Sequence, residues 1–124
     1  MPTPRIYASV EEAVAAVPRG LFVSRVRGTG SMTVFGRERG YDEFVGVIGY
    51  EFASFESLKL GEAVLRMDEG KSDFVMHRII QRRGNGFVMA GTNNMRIDKF
   101  ANNSANLLTP QNFIGRVVWI GVVE

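Results

Sequence analysis

Along the first twenty residues, Val10, Ala13, Val14 and Val17 recur at helical spacing, Ser9 and Glu12 form a capping-box pair, and Pro18 and Gly20 stop the run. The pattern predicts a short amphipathic helix over 9–17. After it the period changes. The segments 21–27, 44–50, 62–67, 73–80, 86–90 and 114–123 are short and rich in Val, Ile and Phe, and most are bounded by Gly, Asn or Asp, so each reads as a strand. Arg83-Gly84-Asn85-Gly86 between two such runs is a hairpin signal, because Asn and Gly tolerate the positive φ of tight turns. Thr109-Pro110 opens a short helical turn with Thr as the cap. The expected class is mainly β and antiparallel, with a short N-terminal helix. Residues 28–42 and 93–106 are the least regular.

Composition narrows what such a fold can do. The chain has 124 residues, 45% of them hydrophobic, and no repeat or low-complexity tract divides it, which predicts one domain over 1–124. Without cysteine there are no disulfides, thiolate zinc sites or cysteine nucleophiles, and one histidine rules out an all-imidazole metal site, so no metal or cofactor is expected. Fifteen basic against thirteen acidic groups leave a net charge of +2, too small an excess to imply nucleic acid. The Arg residues at 25, 27, 37, 39, 82 and 83 are not interleaved with aromatics in a stacking pattern, which leaves nucleic-acid binding a weak alternative. Met-Pro-Thr-Pro-Arg has neither a basic nor an apolar leader region, and the longest apolar runs fall well short of the roughly twenty residues of a membrane span. A cytoplasmic location is the default expectation.

Three segments hold groups suited to chemistry. In Gly28-Thr29-Gly30-Ser31-Met32, two glycines flank a Thr directly before a Ser at a strand end, where backbone N–H groups can face an open site and a carbonyl can approach the hydroxyl. The plain alternative is a Gly-rich turn whose Ser bonds only locally. His77 lies in Phe74-Val75-Met76-His77-Arg78-Ile79-Ile80, where alternation puts Val75, His77 and Ile79 on one face. A lone His on an apolar face is commonly a hydrogen-bonded core residue. A Ser hydroxyl, however, needs a neighbouring base, and imidazole suits that task near neutral pH better than Lys59, Lys71 or Lys99, none of which sits on an apolar strand. Asp98, in the polar loop after Gly91-Thr92-Asn93-Asn94, can accept the second imidazole N–H or merely pair with Arg96 or Lys99.

In order, Gly30-Ser31-Met32, Leu58-Lys59-Leu60-Gly61-Glu62-Ala63-Val64, Val75-Met76-His77-Arg78-Ile79-Ile80, Gly91-Thr92-Asn93-Asn94 with Asp98, and Phe113-Ile114-Gly115-Arg116-Val117-Val118 resemble the boxes of type I signal peptidases, closest to the archaeal and endoplasmic-reticulum branch. The resemblance spans about residues 21–123. It implies the mainly-β fold shared with LexA-type self-cleaving repressors, with Ser31 as nucleophile, His77 as general base and Asp98 as its orienting carboxylate. It also puts the oxyanion donors at the Thr29 hydroxyl and the Ser31 N–H. Val34 stands where the family usually has Pro, Thr92 replaces the usual Asp, and the membrane anchor before the Ser box is absent. By the same resemblance 1–20 is a helical lead-in and 35–56, longer than in compact members, forms an added hairpin or flap.

The expectation is therefore a serine endopeptidase acting on peptide or protein substrates. It would cut an extended peptide, added as a strand along an exposed edge, after small residues. Ala90-Gly91 resembles the LexA-type self-cleavage dipeptide but lies inside a box that builds the site. The rival is the same fold without catalysis, as a dimerisation or peptide-binding module. The apolar segment 114–123 suggests a homodimer formed by strand pairing there.

Overall fold

The computed structural model describes residues 2–28, 32–35, 40–67, 74–91 and 107–124. Among these, the chain forms β1 (Arg5–Tyr7), α1 (Val10–Ala16), β2 (Phe22–Gly28), a 3₁₀ turn (Thr33–Phe35), β3 (Gly40–Glu51), a second 3₁₀ turn (Phe55–Ser57), β4 (Ala63–Met67), β5 (Phe74–Arg83), β6 (Gly86–Ala90) and β7 (Phe113–Val123). The hydrogen-bonded strand order is β2-β3-β7-β4-β5-β6, and β1 joins β7 in parallel. The protein is mainly β with one short helix. Its residues cluster into two compact units, Met1–Glu51 with Val117–Glu124, and Phe52–Arg116.

In the first unit, Ser9 Oγ accepts from the Glu12 N–H at 3.1 Å, while Glu12 Oε2 accepts from the Ala8 N–H at 3.3 Å. This is the capping logic the sequence suggests, with the return bond shifted by one residue. The helix stops at Val17, whose extended conformation suits the residue before Pro18. Ala13 is fully buried in a cluster with Val47 and Val123, bordered by Tyr7, Val10, Val14, Val17 and Trp119. The segment expected as a lead-in thus supplies part of this unit's core, and it contains β1, which the sequence pattern does not announce.

The segment 35–56, expected as a hairpin or flap, lies partly outside the described residues. Within it, residues 40–51 are a single twelve-residue strand, paired antiparallel with β2 from Phe22↔Tyr50 to Gly28↔Gly40, with register shifts after Val26 and Arg27. Val45 to Tyr50 are all buried, as befits a strand covered on both faces. Gly46 permits the closest approach: a Cβ there would lie 2.4 Å from the Phe35 ring and 2.6 Å from the Gly121 carbonyl oxygen. β7 also corrects an expectation. Its apolar residues fit a strand paired on both sides, and the ladder places it between β3 and β4, so it presents no free edge for a second copy.

In the second unit, β5 and β6 form the expected hairpin, closed by Arg83↔Gly86 around Gly84, whose φ is 58°. Leu58, Val64, Ile79, Phe87, Met89 and Leu108 form its buried core, with Phe55 and Phe113 packed against it. At 109–113 a turn forms in place of the expected helical turn. Asn112, not Thr109, supplies the capping side chain, its Oδ1 accepting from the Thr109 N–H at 2.8 Å.

Candidate active site

Three of the five sequence boxes meet at Val64. Across β4 and β5, Val64 lies directly opposite His77, and across β4 and β7 it lies opposite Arg116. Directly opposed residues share a face of the sheet, so His77, Val64 and Arg116 form one row on adjacent strands. Beyond the end of β4, the Ile79 N–H donates to the Glu62 carbonyl at 3.0 Å, while the Glu62 N–H turns back to the Lys59 carbonyl at 3.2 Å. The sequence expectation that Val75, His77 and Ile79 share a face agrees with this register.

Along that face the environment grades from apolar to polar. Ile79 is fully buried opposite Met89, whereas His77, two residues on, is half-buried at the margin of the core. One further step brings Val75 opposite Arg66. Arg66 is only 4% exposed and is the one charged residue among those described that is buried, with its Nη1 donating to the Met67 carbonyl at 3.0 Å. As the diagonal neighbour of His77 on that face, Arg66 is a candidate functional residue that sequence reasoning passed over. The available signal was a cation in the middle of the apolar run Ala63–Met67.

The Lys59–Glu62 turn is tied to the same row. Glu62 Oε1 accepts from the Lys59 N–H at 2.7 Å, and Oε2 lies 3.5 Å from Arg116 Nη1. Gly61, with φ 88°, makes the turn possible, and its N–H donates to the Ile79 carbonyl at 2.8 Å. The box at 58–64 therefore acts as a brace, joining the strand of His77 to the strand of Arg116.

Thr29, Ser31 and Asp98 lie outside the described residues, as does Thr92. The described residues beside the serine segment are buried: Gly28 at the end of β2, and Met32 at the start of a turn closed by Phe35 N–H donating to the Met32 carbonyl at 3.2 Å. Gly91, which opens the Asp98 loop, is buried at the end of β6. Two of the arginines weighed for nucleic acid are engaged within the protein: Arg27 sits 4.7 Å from the Phe44 ring centre and Arg82 5.2 Å from that of Phe87. Among the described residues no cluster of three or more His, Asp or Glu could hold a metal ion, and no helix is long and apolar enough to cross a membrane. Comparison with protein-family models, curated proteins and solved structures finds no significant match for this chain.

Proposed function

We propose that the protein is a serine endopeptidase acting on extended peptides in the cytoplasm. Ser31 Oγ attacks the scissile carbonyl while His77 takes its proton, forming a tetrahedral intermediate. The Thr29 hydroxyl and the Ser31 N–H donate to its oxyanion. His77 then returns the proton to the leaving amine, and water repeats the cycle to release the acyl group. Asp98 accepts the other imidazole N–H and stabilises the cation formed in between. The observation that supports this reading is the position of His77, held in register by Val64 yet half-buried at the core margin, where an imidazole can exchange a proton. By the sequence resemblance, cleavage follows small residues such as Ala.

The test is digestion of an Ala-rich peptide library by the purified protein and by Ser31→Ala. Cleavage lost with Ser31 supports the proposal. Equal digestion by both proteins would assign the activity to a contaminant, and no digestion by either would leave the fold as a binding module.

A further inference from the structure

The β5–β6 hairpin ends in an exposed two-residue turn, Gly84-Asn85, and Gly86 then opens β6. Gly84 has φ 58°, and Arg83 lies opposite Gly86 as the last pair of the ladder. Of the seven asparagines in the chain, Asn85 alone precedes a glycine. That neighbour matters chemically. An asparagine amide is lost when the backbone nitrogen of the next residue attacks its side-chain carbonyl carbon, and a side chain on that next residue hinders the approach.

Glycine at 86 is a packing requirement. The residue is buried, and a Cβ on it would lie 2.7 Å from the Leu108 carbonyl oxygen and 3.3 Å from Leu107 Cβ. Leu108 is held there by Phe87, since its N–H donates to the Phe87 carbonyl at 2.8 Å and its carbonyl accepts from the Phe87 N–H at 3.0 Å. At 85 the tight turn favours Asn, which tolerates positive φ. Two structural needs thus place an Asn-Gly bond at the tip of a hairpin, where a ladder opens most readily and where Gly86 becomes accessible when it does. We propose that Asn85 is a site of spontaneous covalent modification, converting through a cyclic imide to aspartate and isoaspartate.

In the first step the Gly86 nitrogen forms a bond to Asn85 Cγ, the Cγ–Nδ2 bond breaks, and ammonia leaves with the former Gly86 amide proton. Water then opens the imide. Addition at Cγ restores the ordinary backbone with a carboxylate side chain, near the exposed Arg82 and Arg83. Addition at the main-chain carbonyl leaves the chain running through the former side chain, longer by one methylene. A turn of fixed length cannot absorb that. Gly86 and Phe87 are held against Leu108, so the displacement falls on Arg83 and Arg82, and with it the contact of Arg82 with the Phe87 ring, 5.2 Å from the ring centre. It ends at the register shift between Ile79 and Gln81, which already separates the tip pairs from Ile79↔Met89 and Arg78↔Ala90.

The test ages the full folded chain in mildly alkaline buffer and maps its peptides by mass spectrometry. Asn85 should show the mass gain of about one dalton that marks amide replaced by acid, at least about tenfold faster than any other asparagine, because only its neighbour lacks a side chain. Asn85→Gln, which would have to close a larger ring, should stay intact at that position. Amide hydrogen exchange on the separated isoaspartate form should be faster across Gln81–Phe87 and unchanged from Val64 to Met67 and at His77. Asn85→Asp, whose backbone is normal, should exchange like the parent. The proposal is overturned if Asn85 stays intact while another asparagine converts, or if the isoaspartate form exchanges no faster than Asn85→Asp.

Discussion

Val64 is fully buried directly opposite His77, and the same residue stands opposite Arg116 on its other side. The backbone of His77 is thereby set in register beside the core of its unit, although the residue is itself only half-buried. Rigid support of this kind is what a general base needs, since proton transfer depends on holding a side chain at hydrogen-bond distance from its partner.

Glu62 separates two contributions to that support. Glu62→Gln keeps an oxygen acceptor for the Lys59 N–H and loses only the charge facing Arg116, a partly exposed pair at 28% and 25%. Solvent screens such a pair, so stability should fall by less than about 0.5 kcal/mol. Glu62→Ala removes the acceptor as well and should cost about 1 kcal/mol in denaturant unfolding. Equal losses in the two variants would show that the turn does not depend on the Lys59 bond.

Gly46→Ala should destabilise the first unit by about 1–3 kcal/mol, because the new methyl meets both the Phe35 ring and the Gly121 carbonyl. A smaller ring alone is no remedy. Phe35→Leu in the Gly46→Ala background leaves the backbone clash in place, so thermal unfolding should not return to the parent value. Full recovery would mean that the ring contact alone matters.

Much of the fold is legible in local signals. The Ser9 and Glu12 pair marks the helix start, and the Gly84-Asn85 turn with its flanking apolar runs sets β5 and β6, the latter matching residue for residue. What local pattern misses is decided by distant partners. β1 has only three residues and no alternation, and it exists because Arg5, Ile6 and Tyr7 find Gly121, Val122 and Val123 at the other end of the chain. The polar start of β3 lies beyond two register shifts in its pairing with β2, at Gly28↔Gly40, which no local pattern announces. The apolar run of β7 suggests a sticky edge, but an apolar run on both faces is equally the mark of an interior strand. For the site, alternation correctly grouped His77 with Val75 and Ile79. It gave no hint that Arg66 would be buried beside them, since pairing between strands is not visible within either one.

The central proposal, that Ser31 and His77 act as one unit, is tested most directly by a double-mutant comparison of peptide cleavage. Ser31→Ala and His77→Ala should each lower kcat by about 10⁴-fold or more, and the double variant should be no slower than either single one, because a nucleophile without its base and a base without its nucleophile are equally idle. A His77→Ala protein that cleaves at the parent rate, or losses that multiply in the double variant, would contradict it.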